Sequence, residues 1–303
     1  MKLMIEPPTW LGDAVMATGA IKKLINNIQP KEVVYFGSPV ALALFPNEKK
    51  IIDDRKHRIK QFFKLPKVDL FVSFRSSLYS KALALKYGGY TYSVKFPEEI
   101  HMVERYNIYV NHILKKNHIL KKNLPIYKPT LPFKPKKFTN PTFGIHPGAA
   151  YGNSKRWYPK EFAKVANFLG KYGDIIIFGG PGEEKIAQEI EENLRIKNYK
   201  NLCGKLSIKE LCEYIGGLSG FISNDSGPMH ISAAYNVPTV GIFGPTSPKV
   251  AYPYCDKNLV IYKDIECSPC YKRECPLKHH NCMKMITAEE VIYKIQQSKI
   301  FPI

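Results

Sequence analysis

Four stretches in the second half of the chain place glycine and short polar residues where an apolar run stops. The first is Gly144-Ile145-His146-Pro147-Gly148-Ala149, running on to Ser154-Lys155-Arg156-Trp157. Exposed backbone N–H groups together with a lysine can hold a diphosphate. An ordinary strand-to-helix loop with solvated cations would read the same way. The second is Phe178-Gly179-Gly180-Pro181-Gly182-Glu183, whose glycines allow a ligand to approach the backbone but lack dinucleotide-fingerprint spacing, so that a tight turn is the alternative. The third is Ser223-Asn224-Asp225-Ser226-Gly227-Pro228-Met229-His230. It opens a helix, whose first turn presents unpaired N–H groups and a positive dipole end to an anion. The competing account is a capped helix, with Asp225 or Ser226 as the N-cap. The fourth is Gly241-Ile242-Phe243-Gly244-Pro245-Thr246-Ser247-Pro248, where a proline-fixed turn is the alternative.

The first half has one such place, Pro7-Pro8-Thr9-Trp10-Leu11-Gly12-Asp13. Asp13 there could interact with a helix dipole or act as a general base. Of seven cysteines, four form the run Cys267-x2-Cys270-x4-Cys275-x6-Cys282, with His279 and His280 beside them. That spacing suits a tetrahedral zinc site, and equally a loop of reduced cysteines packed as small hydrophobes.

These residues need strands and helices to position them. Leu3 to Ile5, Val33 to Phe36 and Asp69 to Phe74 read as strands, with helices at 13–26, 76–86 and 98–115. Between Asn117 and Pro141 five prolines and paired lysines predict a linker. The hexapeptide Asn111-His-Ile-Leu-Lys-Lys116 recurs at 117–122, too short a repeat for a solenoid and taken as a duplication without a role. Strands then return at 142–146, 174–178, 220–223 and 239–243. Helices are expected at 159–171, 183–194, 207–215, 227–235 and 287–297. The helix from Ser207 carries a capping box with Glu210. Alternating strands and helices on both sides of the linker predict two doubly wound α/β domains, 1–140 and 141–303, with the last helix a candidate to pack back on the first. Ligands bind at the carboxyl ends of strands in such sheets, so the expected site is a cleft between the two.

The chain has 303 residues, 45% hydrophobic and 23% charged, as a globular protein does. No apolar run is long enough to span a bilayer, and the start is too short and too acidic for a signal peptide, which predicts a cytoplasmic protein. In that compartment the cysteines stay reduced. The formal charge of +19 favours anionic partners, although lysines spread along the whole chain need no partner to explain them. A basic nucleic-acid-binding protein is a competing class. Scattered lysines and strand-end glycines speak against it, so no nucleic-acid partner is expected.

Taken in order, Trp10-Leu-Gly-Asp13, Pro147-Gly-Ala149, Ser154-Lys-Arg-Trp157, Asn224-Asp-Ser-Gly-Pro-Met-His230 and Gly244-Pro-Thr-Ser-Pro248 resemble the ADP-heptose:lipopolysaccharide heptosyltransferases of glycosyltransferase family 9. The late cysteine run with Arg273, Pro276 and His279-His280 is similar to that of the type II members. The resemblance covers nearly the whole chain, and the first half departs most from the family pattern. It implies a GT-B fold of two facing Rossmann-like domains, the acceptor in the first and the donor in the second. It implies inverting transfer of the second heptose from ADP-heptose to the lipopolysaccharide inner core, at the cytoplasmic face of the inner membrane. Asp13 matches the family's base and Lys155 the lysine near the donor diphosphate. Asp225 matches the acid that holds the heptose, with Ser226, Gly227 and His230 completing that loop. Gly148, Ala149, Gly179, Gly180, Gly244 and Thr246 are the remaining candidate donor contacts. The family reaction requires no protein-bound metal, so any zinc at Cys267, Cys270, Cys275 and Cys282 is expected to be structural. A donor other than ADP-heptose, such as another nucleotide-diphosphate sugar, is the alternative within the same fold.

Overall fold

A computed structural model describes residues 1–97 and 99–303. The chain divides into two compact units, Met1–Pro132 and Phe133–Ile303. Unit one contains β1 (Lys2–Glu6), α1 (Leu11–Ile28), β2 (Glu32–Gly37), α2 (Pro39–Leu42), β3 (Lys49–Ile52), α3 (Arg58–Lys64), β4 (Leu70–Ser73), α4 (Leu78–Tyr87) and α5 (Met102–Lys116). The expected start of α5 at Glu98 lies outside the described residues. The sheet is wholly parallel, in the order β3-β2-β1-β4. β1 and the terminal strand β4 are continuous apolar runs because helices cover both faces: Leu3, Met4, Ile5, Phe71 and Val72 are fully buried.

Unit two contains β5 (Thr142–His146), α6 (Pro159–Leu169), β6 (Asp174–Ile177), α7 (Glu184–Glu191), β7 (Tyr199–Asn201), α8 (Ile208–Gly216), β8 (Gly220–Asn224), α9 (Gly227–Ala234), β9 (Thr239–Ile242), β10 (Asn258–Ile261), α10 (Asn281–Lys284) and α11 (Ala288–Ser298). Its parallel order, β10-β9-β8-β5-β6-β7, is that of a Rossmann sheet. The strand order reverses between β5 and β8, which pair through Phe143↔Gly220 to His146↔Ser223. The capping box of α8 forms as the sequence predicts: Glu210 N–H donates to Ser207 Oγ and Ser207 N–H to Glu210 Oε2. Pro159 occupies the first turn of α6, and α6 buries Phe162, Val165 and Leu169. The last helix, α11, packs on α6 and β10 of its own unit.

The proline-rich stretch is an extended strap rather than a free linker. Its first part lies on unit one. Buried Lys23 Nζ donates to the Pro125 carbonyl at 2.9 Å, and Thr130 N–H to Thr18 Oγ1 at 3.0 Å. Gly19 makes this approach feasible, because a Cβ there would stand 2.3 Å from the Tyr127 carbonyl oxygen. The remainder lies on unit two, where Lys136 N–H donates to the Glu213 carbonyl at 2.7 Å and Tyr235 Oη to the Phe133 carbonyl at 3.0 Å.

Candidate active site

The carboxyl ends of β5 and β8 lie side by side at the point where the strand order reverses, where open α/β sheets bind ligands. β8 delivers Asn224, and Asp225 follows it, buried. The Lys155 ammonium, carried by the loop after β5, forms an ion pair with Asp225 Oδ2. Thr246 Oγ1, from the loop after β9, donates to the same oxygen at 2.7 Å. His230 Nε2, from the first turns of α9, stands 4.0 Å from Asp225 Oδ1. Four of the residues singled out in the sequence, on three separate loops, thus meet at one carboxylate.

Burial lowers the pKa of His230 to about 4, the pull of Asp225 offsetting only part of it, so at neutral pH the ring is uncharged. Its Nδ1 is buried and pairs with no described residue.

Ser226 stands at the N-cap position of α9, yet its side chain makes no capping bond. Its hydroxyl lies 3.1 Å from His146 Nδ1 and 3.0 Å from Ser223 Oγ. The capped-helix account therefore does not hold for this serine. The amino end of α9, starting at Gly227, keeps its dipole beside the Lys155–Asp225 pair.

Three further residues of the same stretches, none of them a candidate donor contact, tie the loops together. Asn224 Nδ2 donates to the Pro147 carbonyl at 2.7 Å and its Oδ1 accepts the Trp157 N–H at 3.1 Å. Glu183 reads as a helix start, but its carboxylate folds back to accept the Gly180 N–H at 2.8 Å. It lies against Gly148 so closely that a Cβ there would be 2.0 Å from Glu183 Oε2. His146, whose pKa burial also lowers, stands 3.7 Å from the same oxygen. Gly148, Gly180 and Glu183 thus form one packed turn. Ala149 joins it through its carbonyl, 3.4 Å from Arg156 Nη2, while Gly179 packs on Cys203. The Gly244 carbonyl accepts the Ser268 hydroxyl at 2.5 Å. The clue to Glu183 was the glycine density before it, which marks close approach but not its partner.

Asp13 lies in unit one, in the first turn of α1. Burial raises the Tyr106 hydroxyl pKa, and the Asp13 carboxylate raises it further. The same carboxylate acts on Tyr92, whose ring centroid is 5.3 Å from that of Tyr106. Asp13 therefore lies within electrostatic reach of this tyrosine pair.

The four late cysteines line one small cavity of about 20 Å³ together with Ser154, Pro245 and His280. Burial raises the Cys282 thiol to about 11, and the nearby sulfurs of Cys270, Cys267 and Cys275 raise it further. Among the described residues, no group of three or more His, Cys, Asp or Glu side chains forms a ready metal-holding set.

The family model of glycosyltransferase family 9 (heptosyltransferase) matches residues 75–281. Lipooligosaccharide heptosyltransferase 2 of Campylobacter jejuni subsp. jejuni serotype O:6 is 40% identical over 98% of this chain and 99% of its own length. Lipopolysaccharide heptosyltransferase 2 of Escherichia coli K12 is 29% identical over 51% of this chain and 46% of its own. The structure of E. coli ADP-heptose lps heptosyltransferase II superposes with a TM-score of 0.79 over 98% of both chains at 22% identity. E. coli heptosyltransferase WaaC with ADP gives 0.72 over 98% of this chain and 100% of that one at 18% identity. The fold is GT-B, built from two Rossmann-like domains. With its family match over most of the chain and a relative aligned end to end, this protein belongs to glycosyltransferase family 9, the heptosyltransferases.

Proposed function

We propose that the chain transfers a heptose, with inversion, from ADP-L-glycero-D-manno-heptose to the lipopolysaccharide inner core, adding its second heptose. The observation that carries this reading is the Asp225 carboxylate held by Lys155 and Thr246 where β5 and β8 part. Relatives named heptosyltransferase 2 supply the sugar and the acceptor. In this reading Asp225 accepts hydrogen bonds from heptose hydroxyls. Lys155 and the amino end of α9 balance the diphosphate as it leaves. A sugar hydroxyl is a poor nucleophile, and Asp13 is its general base. Neutral His230 offers a ring nitrogen to the donor without adding charge. No resident metal takes part in the transfer.

Incubation with ADP-heptose and a truncated core acceptor, read by mass spectrometry, should show one added heptose. Transfer from UDP-glucose but not from ADP-heptose would sink the donor assignment while keeping the fold.

We also assign the membrane-facing surface to unit one. Among the described residues, no helix is long and apolar enough to cross a membrane. α3 and α4 lie together, Tyr79 Oη donating to the Arg58 carbonyl at 3.2 Å. They leave Ile59 (81%), Phe63 (77%), Leu78 (85%) and Leu85 (88%) exposed. Lys56, Lys60, Lys64, Lys81 and Lys86 flank these side chains in sequence. Apolar side chains among lysines suit the surface of an anionic bilayer at the cytoplasmic face. Binding to vesicles containing anionic lipid, lost in Ile59→Asp/Phe63→Asp, is the expected result. Equal binding by the double variant would remove this surface.

A further inference from the structure

Residues 262–280 join β10 to α10 with neither helix nor strand, and Ser268 is their only buried residue. A stretch that long, with Ile265 its contact to the hydrophobic core, draws little of its placement from apolar packing. It nevertheless supports both loops that reach Asp225. Ser154, beside Lys155, donates from its N–H to the Arg273 carbonyl at 3.1 Å and from Oγ to the Lys272 carbonyl at 2.5 Å. Tyr151 Oη donates to the Tyr271 carbonyl at 2.8 Å. On the other side, Tyr271 N–H donates to the Pro245 carbonyl at 2.8 Å and Ser268 Oγ to the Gly244 carbonyl at 2.5 Å. Lys155 and Thr246 therefore owe their placement to a loop with almost no core of its own.

Cys267, Cys270 and Cys275 lie in this loop, and Cys282 opens the helix that ends it. All four line the same cavity of about 20 Å³, space for about one water-sized body. Both histidines at the cavity are engaged: His280 Nε2 lies 2.8 Å from the Ser154 carbonyl oxygen and Nδ1 3.3 Å from Tyr158 Oη, and His279 Nδ1 accepts the Asn281 N–H at 3.0 Å. Cys275 Sγ accepts the His280 N–H at 3.4 Å. Seven free cysteines and no disulfide leave the four thiols available as ligands. Four soft donors lining one small space are the ligand types of a closed tetrahedral site.

We propose that Cys267, Cys270, Cys275 and Cys282 bind one zinc ion, and that this ion fixes the loop that positions Lys155 and Thr246. The thiols surround the cavity without yet forming a ready set. Binding therefore deprotonates them and draws them in, coupling metal uptake to ordering of the loop. The ion takes no part in the transfer. Its effect on the donor rests on the donor-loop reading given above, whereas its presence does not.

The test is metal analysis of the full-length chain, purified without a polyhistidine tag and dialysed. About one equivalent of zinc per chain is expected, falling several-fold in Cys270→Ser and Cys275→Ser and unchanged in Cys255→Ser. Metal-free protein that stays folded and whose four thiols all react with a thiol reagent overturns the proposal. One equivalent of iron overturns the assignment to zinc. As a second readout, stripping the ion should weaken ADP binding about tenfold, through misplaced Lys155. Zinc present but irrelevant to ADP affinity would refute the positioning role alone.

Discussion

The carboxyl ends of the two sheets are built differently. In unit two the charged centre draws on loops that each carry a contiguous motif: Lys155, Asp225 with His230, and Thr246. In unit one the end of β1 and β4 holds a denser ionic network assembled from isolated residues. Fully buried Glu6 pairs with Arg75 at 2.8 Å and accepts the Ser73 hydroxyl at 2.5 Å. Asp53 is gripped by Arg58 at 2.6 Å and lies 3.7 Å from Arg75. Burial pushes the Glu6 carboxyl pKa up and Arg75 pulls it back. One cluster keeps a buried ring nitrogen unpaired, as a ligand site does, while the other is closed on itself, as a scaffold is.

If unit one adds only its base to the chemistry, Asp13→Ala should lower turnover by roughly 10²- to 10⁴-fold and leave ADP affinity unchanged. Near-normal turnover would remove Asp13 from the reaction and turn the search toward the buried network. That network is expected to matter for stability instead. Glu6→Ala leaves the Arg75 guanidinium without its nearest partner and should cost roughly 3 kcal/mol, read by urea denaturation, with ADP affinity unaltered. A variant as stable as the parent but unable to bind ligand would erase the distinction between the two clusters. On the other side, Lys155→Ala should weaken ADP binding by about 10- to 100-fold in calorimetry. Unchanged affinity would mean that the lysine serves only Asp225.

The same contrast explains what could be read from sequence. Motif-borne residues were legible because a loop at a strand end keeps its chemistry within a few positions. Glu6 and Arg75 were not, because nothing local marks residues that meet across 69 positions, and the local Asp53–Arg58 pair gains its place in the network only through Arg75. The elements follow this pattern. Buried strands such as Asp174–Ile177, and β4 although it ends its sheet, are apolar runs, whereas the other three edge strands, β3, β7 and β10, are short and half exposed and carry no periodic signal. α3 buries none of its residues, so no apolar face announced it. The duplicated hexapeptide is the sharpest case. Its first copy completes α5, whereas the second lies beyond the helix in turns. Identical residues take two conformations, so the packing of Ile113 and Leu114 into unit one decides, not propensity.

The smallest expected effect concerns His230 and asks whether the donor cluster is as dry as the scaffold cluster. Folded, the ring has a pKa of about 4 because burial lowers it; unfolded, it titrates near 6.5. Between those values the unfolded chain binds a proton that the folded chain refuses, so stability rises with pH across that window. The contribution is complete above about 6.5 and is lost as pH falls toward about 4. His146, lowered in the same direction, adds to the slope. In His230→Gln the dependence should flatten by up to about 1.4 kcal/mol per pH unit, measured by denaturation at several pH values, with His146 supplying what remains. An undiminished slope would mean that His230 takes up its proton at an ordinary pH. Water would then reach the Asp225 cluster, as it does not reach Glu6, and His230 would meet the donor as a cation below neutrality rather than as a neutral ring.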